Sequence, residues 1–519
     1  MPRSPALLLI LACAFPAFSQ AQSSGHLPAE FDQRVESALA RFNVPGVAVA
    51  VVKDGQVLVA RGYGTRALGG SAPVDEHTLF GIASNTKAFT ALALGLLVEE
   101  KKIEWDAPVT RYLPWFQLND PWVTRELTVR DLLVHRSGLG LGAGDLLWWP
   151  PSTYNREQIA RRLRFIPAVR SFRSGYAYDN VLYLVAGLVI EQVSGKSWED
   201  FVTDRLLRPV GMMDATVTHS AAGDTAGNVA LTHAKVDGKM QRVPPFLSDN
   251  TNPAGGINAS ATDMARWLVA QLDSGRVGDN RLWSQRTTRD LWSLVTPINP
   301  GTPPPQLAPQ QANFNGYGLG FFVRDYRGEK AVTHTGGLPG YLSRVIMIPR
   351  LKAGVAVLGN AEAYAFEAIA WQAIDALMDA EPHDWEDAYA WLAARSDSMN
   401  SASLAQSAKS RNAKRGPALP LASYAGTYRD QWYGDVAVEK QGDKLVIRMT
   451  HTPSMVGDME HWQYETFLVR WRDRTLRADA FLTFQLDAEG KPVRATMEPE
   501  SPAVDFSFDY QDLRLERVE

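Results

Sequence analysis

Ser84-Asn85-Thr86-Lys87 sets a hydroxyl and an amine three residues apart, where a polar stretch gives way to the apolar run 88–94. On a helix beginning there, residues i and i+3 share a face, so the Lys87 amine can approach the Ser84 hydroxyl within one turn. The unpaired N–H groups and positive dipole end of that terminus favour alkoxide character on the serine. A serine with its own base is a nucleophile for acyl transfer, which also needs donors for a developing oxyanion and a proton for the leaving group. Two further groups follow in order: Tyr178-Asp179-Asn180 just ahead of the apolar run 181–190, and Thr333-His334-Thr335-Gly336-Gly337 in a strand-like stretch. Lys87 and Tyr178 are both candidate bases. In a partly desolvated cleft the lysine cation should lower the tyrosine's pKa while burial lowers the lysine's own. Taken singly, each residue also has an ordinary structural reading: Ser84 and Asn180 as helix caps, Tyr178 as a core aromatic, His334 as a strand histidine. The ordered combination points to a site. His135 reads as structural, holding a loop nearby.

The pattern S-x-x-K, Y-x-N, [KH]-x-G resembles that of the serine β-lactamase and penicillin-binding-protein superfamily, in particular the branch of class C β-lactamases, D-alanyl carboxypeptidases, D-aminopeptidases and β-lactamase-fold esterases. The resemblance spans roughly residues 30–378 and includes the phrases at 132–139 and 255–264. It implies Ser84 as nucleophile with Lys87 and Tyr178 handling its proton, and Asn180 orienting Lys87 and the substrate carbonyl. It also implies an oxyanion hole from the backbone N–H groups of Ser84 and Gly337, and a substrate-binding edge strand at His334-Thr335-Gly336. One departure bears on specificity. Many relatives carry lysine at the third motif, where its charge holds a substrate carboxylate, whereas His334 is near-neutral at pH 7 unless paired. This favours short peptides or amides of the D-residue type, or small esters. A weak β-lactamase, or a penicillin-binding sensor that acylates and barely turns over, stands as the alternative. The loop 146–151, Leu-Leu-Trp-Trp-Pro-Pro, either walls a substrate pocket or packs its tryptophans inward. No metal or organic cofactor is implied: there is no G-x-S-x-G elbow and no H-E-x-x-H, and the P-loop-like Gly195-Lys196-Ser197 has Ile190 where the first glycine belongs.

The elements needed to hold these groups can be read from periodicity. A helix over 29–42 and a hairpin of strands 47–52 and 57–60 come first. Strands return late, at 317–324, 331–334, 343–349 and 354–358, and the stretch 84–295 between them is mostly helical. Thr128-x-x-Asp131, Ser197-x-x-Asp200 and Ser260-x-x-Asp263 predict helix starts, and Gly138, Gly195 and Gly275 predict stops. The expected fold is α+β, an antiparallel sheet built from both ends of the segment with a helical subdomain beside it, followed by a small antiparallel β-barrel. The predicted organisation is a signal peptide at 1–21, the hydrolase domain at 29–381, a helix (383–396) and linker over 382–420, and the barrel at 421–519, whose opening 424–428 resembles a lipocalin-like domain. All motif residues lie before 381, so that part alone is expected to assemble the catalytic group. The barrel is expected to narrow substrate entry or to build a homo-oligomer contact.

Composition narrows the partners. The 519 residues are 45% hydrophobic and 21% charged with a formal net charge of −4, and no basic stripe suggests nucleic acid. The N-terminal run 5–18 behind Arg3 reads as a secretory signal cleaved after Ser19 or Ala21, predicting a secreted or periplasmic protein. A lipoprotein signal at Cys13, the only cysteine, is the rival reading. No other stretch is long and apolar enough for stable membrane insertion, so the predicted partner is a small molecule or short peptide.

Overall fold

The computed structural model describes residues 26–223 and 227–518, and the predicted signal with Cys13 lies outside the described residues. The strand Gly46–Lys53 is buried along its whole length. Val47, Val49 and Val51 enter one apolar core while Ala48, Ala50 and Val52 enter another, the mark of a strand covered on both faces. It is the second strand of an eight-stranded antiparallel sheet. The order is Gln56–Gly64, Gly46–Lys53, Ala353–Gly359, Tyr341–Ile348, Glu329–Leu338, Phe322–Tyr326, Asn315–Tyr317 and Thr296–Ile298. The two ends of the segment meet in register at Val49 opposite Val357. Helices Phe31–Phe42, Ala365–Leu377 and the start of Trp385–Ser410 cover one face. The other is covered by Ala261–Leu272 and by a helical layer around two apolar helices, Thr86–Glu99 and Val181–Ser194. Beyond it, eight strands from Gly426–Asp430 to Leu515–Arg517 close a barrel. The fold is thus the expected α+β sheet and helical layer with a C-terminal barrel.

Several local expectations are corrected. Residues 317–324 are not one strand: the chain turns at 318–321, giving Asn315–Tyr317 paired with Phe322–Tyr326. Gly320, at φ +82°, sits against the Lys87 backbone, where an added Cβ would lie 2.8 Å from its carbonyl oxygen. The strand carrying His334 is interior, not an edge. Its neighbour Phe322–Tyr326 pairs with it only as far as Thr333, so residues 334–338 are open on that side and border a cleft. The helix expected over 383–396 runs from Trp385 to Ser410, because the Ser/Ala/Lys-rich stretch has no glycine or proline until Gly416 and keeps helical propensity. Ser197 and Ser260 cap α-helices as expected, whereas the Thr128–Asp131 pair encloses only the 3₁₀ turn Arg130–Leu133. Gly195 ends the Val181–Ser194 helix at φ +71°, and Gly138 stands in a loop without ending a helix.

Gly336 marks where sheet and helical layer touch. A Cβ there would meet Ile82 O at 2.1 Å, Ser343 Oγ at 2.4 Å and the Ala83 Cβ at 3.0 Å. Gly336→Ala must push the strand off the turn that carries Ser84, so we expect about 1–3 kcal/mol of destabilisation. A denaturant midpoint equal to that of the native sequence would show that the two layers can separate freely.

Candidate active site

The turn bearing Ser84 is fixed before any substrate arrives. Ile82 N donates to Ile257 O at 2.9 Å, and Ile257 N donates to Thr86 Oγ1 at 3.1 Å. Asn85 Nδ2 donates to Ser343 Oγ at 2.8 Å, which in turn donates to Ile82 O at 2.8 Å. Ala83 lies in the left-handed region at φ +50°, a strained conformation for a residue with a Cβ. Ser84 itself is in the 3₁₀ turn Ala83–Asn85, and the helix Thr86–Glu99 follows directly.

That helix is apolar on nearly all sides, so Lys87, one residue into it, has no solvent to point at. Its Nζ contacts Ser84 Oγ at 3.0 Å, Asn180 Oδ1 at 2.8 Å and the Ala254 carbonyl at 3.0 Å, and lies 5.0 Å from the centre of the Tyr178 ring. Burial pulls its pKa down to about 7 against the opposing pull of Asp145 and Asp179. A neutral amine has two N–H bonds and one lone pair. Asn180 Oδ1 and Ala254 O can only accept, so they take the two protons and turn the lone pair toward the Ser84 hydroxyl.

Asn180 is oriented in turn. Its Nδ2 donates to Asp145 Oδ2 at 2.8 Å, which leaves Oδ1 for Lys87. Asp145 is fully buried; it also accepts from Trp148 Nε1 at 2.9 Å and from Ser507 Oγ at 2.9 Å, and burial raises its pKa to about 7.

Tyr178 borders the cleft, yet desolvation raises its pKa well above the usual tyrosine value, with a hydrogen bond to Ser84 as the main opposing effect. The expected lowering by the lysine cation is overturned, because loss of water dominates and the neighbouring Tyr176, Tyr183 and Asp145 push in the same direction. Tyr178 therefore stays a phenol. His135, buried and held neutral, lies 4.3 Å from the Tyr178 ring and takes the Asp179 N–H on Nδ1 at 3.2 Å. His334 is also buried, and burial lowers its pKa to about 3. Its Nδ1 is 2.5 Å from Thr335 O and its Nε2 is 2.7 Å from Tyr317 Oη. The carbonyl requires Nδ1–H, which leaves Nε2 to accept from the phenol. The third motif thus presents no cation.

A cavity of about 820 Å³ opens over these groups. Ser84, Tyr178, Asn180, His334, Thr335 and Gly337 line it, whereas Gly336 faces the Ser84 turn behind. The tryptophans of the loop 146–151 are both packed inward and part of the cavity wall, with Phe246, Phe322 and Leu338 continuing the apolar lining. Part of the wall comes from the barrel, including Phe506 and Leu476. Sequence reasoning missed Asp145, which belongs to no motif although it precedes the flagged loop by one residue, and it missed Tyr317 and Ser507. Only contacts across the fold identify them. Among the described residues no cluster of His, Cys, Asp and Glu could hold a metal ion, and no helix is long and apolar enough to cross a membrane.

Known proteins place this architecture. The chain is 29% identical over 432 residues to the Unguisins hydrolase ungD of Aspergillus violaceofuscus, covering 79% of this chain and 76% of that protein. The octameric penicillin-binding protein homologue from Pyrococcus abyssi superposes with a TM-score of 0.59 at 22% identity, covering 94% of this chain and 99% of that one. The D-amino acid amidase from Ochrobactrum anthropi SV3 gives 0.54 at 23% identity, covering 67% and 96%. These two likenesses show a shared fold. Residues 410–517 match a domain of unknown function, DUF3471. With residues 31–378 matching its model, the chain belongs to the Beta-lactamase family.

Proposed function

We propose that the protein is an exported serine hydrolase that cleaves amide bonds in short peptides carrying bulky apolar side chains, through an acyl-enzyme on Ser84. The observation that carries this reading is the Lys87 amine, buried, held by two carbonyl acceptors and aimed at the Ser84 hydroxyl. Neutral Lys87 takes the Ser84 proton as Oγ attacks the carbonyl carbon. The backbone N–H groups of Ser84 and Gly337 receive the oxyanion. As the tetrahedral intermediate collapses, the Tyr178 phenol gives its proton to the leaving nitrogen and is reprotonated from Lys87. Water then attacks the ester by the same route reversed, releasing acid and free Ser84.

Two features support the substrate class. The neutral His334 offers no anchor for a carboxylate, which separates this site from one built for β-lactams. The apolar cavity of about 820 Å³ is large enough for a peptide segment. The relatives support the same direction, since one is named for hydrolysing unguisins and another is an amidase of D-amino acids. Export rests on the N-terminal segment 1–21.

A panel of D- and L-aminoacyl anilides, p-nitrophenyl esters and nitrocefin tests this, with intact mass measured after each. We expect aromatic or branched aminoacyl anilides to be turned over, with nitrocefin far slower, and a transient acyl adduct that disappears in Ser84→Ala together with turnover. Faster turnover of nitrocefin than of every anilide would favour the β-lactamase alternative, and an adduct that persists without turnover would mark a sensor.

The pH dependence follows from Lys87. Below about pH 7 the amine is protonated and cannot accept the serine proton, so kcat/KM should climb about tenfold per pH unit and level off above about pH 7. A profile flat between about pH 5 and 9 would remove Lys87 as the base.

A further inference from the structure

The barrel does more than wall the cavity. The connection between its last two strands, Pro492–Pro499 and Leu515–Arg517, leaves the barrel and enters the hydrolase domain. There Ser507 Oγ donates to Asp145 Oδ2 at 2.9 Å. Two residues on, the buried Asp509 takes the backbone N–H of Gly144 at 2.7 Å and of Leu146 at 3.0 Å, gripping the chain on both sides of Asp145. The loop is held from its other face as well, since Gly142 N donates to Tyr178 O at 2.9 Å. Gly142 leaves no room for a side chain there, because a Cβ would lie 2.7 Å from Phe506 O.

Following the hydrogen bonds inward gives one chain: Ser507 to Asp145, Asp145 to Asn180, Asn180 to Lys87, Lys87 to Ser84. Asn180 Nδ2 and Ser507 Oγ share the same carboxylate oxygen, so the position of that oxygen is set jointly from the two domains. We propose that Ser507 is a positioning residue of the active site, contributed by the C-terminal barrel, which fixes Asp145 and through it the Asn180 amide that orients the Lys87 amine. The proposal adds a barrel residue to the expectation that residues before 381 assemble the catalytic group by themselves. Those residues hold every motif, yet one hydroxyl in the network comes from the barrel.

The electrostatic consequence has a definite sign. Facing Lys87 are the carboxyl groups of Asp145 and Asp179, the neutral imidazoles of His135, His219 and His334, and the rings of Tyr178 and Tyr183, with the Asp509 carboxyl beyond Asp145. The two near carboxylates raise the Lys87 pKa against burial. Ser507 donates to Asp145 and so favours its charged form. Without that hydroxyl Asp145 ionises less readily, its pull on the ammonium weakens, and Lys87 loses its proton at lower pH.

The inference rests on the reading of Ser84 and Lys87 given above, and one set of full-length variants separates the two. With an anilide substrate that the native chain turns over, Ser507→Ala should lower kcat about tenfold, since the lost bond is to a charged group. KM should change little, and the acidic limb of kcat/KM should move to lower pH. Ser507→Thr, which keeps the hydroxyl, should restore both quantities. Thr153→Ala serves as the control, because it removes an interdomain contact of similar length, Thr153 Oγ1 to His451 Nδ1 at 2.9 Å, that is not chained to Lys87. It should leave kcat and the limb unchanged. If Ser507→Ala does not fold, Ser507→Cys, of similar size with a weaker donor, is judged by the same readouts. A Ser507 variant lacking the hydroxyl with native kcat and an unmoved limb overturns the proposal, as does a Thr153→Ala variant showing both effects. A native chain forming no adduct at Ser84 instead removes the underlying functional reading.

Discussion

Withdrawing the Lys87 amine from water is the constraint on which the site depends. An exposed lysine is protonated at neutral pH and cannot serve as a base, and burial alone would leave a cation without partners. The fold meets both conditions by placing the lysine one residue into an apolar helix and by supplying oxygen acceptors at Asn180 and Ala254. The remaining direction points at Ser84. Much of the helical layer can be understood as what holds those acceptors still: the helix Val181–Ser194 follows directly on Asn180, and the short helix Asn252–Gly255 carries Ala254.

Neutrality extends to two other titratable groups beside the serine. Tyr178 stays a phenol and His334 an unprotonated imidazole, each because its surroundings exclude water. The proton handed from serine to leaving group thus moves among groups that carry little net charge at rest. Beside the serine there is little with which to attract an anionic substrate, and Arg477 of the cavity wall is already paired with Glu362, so selectivity falls to shape and apolar contact.

Much of this could be read from the chain before any fold was known. The sheet halves were legible because Val-Ala alternation in 47–52 and 354–358 has a period of two, and the triad of motifs because their chemistry is local in sequence. Where legibility ended is also physical. The hairpin at 318–321 was hidden because its flanking residues share one apolar character. The lowered tyrosine pKa was misjudged because only the three-dimensional packing shows how much water is lost. Asp145 belongs to no motif, being an aspartate in a glycine-rich loop; Trp148 lies three residues on, but the partners Asn180 and Ser507 that tie it to the site arrive from distinct parts of the chain.

The distance along the chain between Asp145 and Ser507, 362 residues, has a bearing on biogenesis. A ribosome delivers the serine, the lysine, the tyrosine and the whole eight-stranded sheet long before it delivers the hydroxyl that meets Asp145. The barrel that presents this hydroxyl closes through Leu515–Arg517, which pairs with its first strand, Gly426–Asp430, so it cannot close until those residues have been made. A nascent or C-terminally clipped chain therefore carries the complete set of motif residues around an unfinished hydrogen-bond network. Completion of that network is coupled to closure of the barrel.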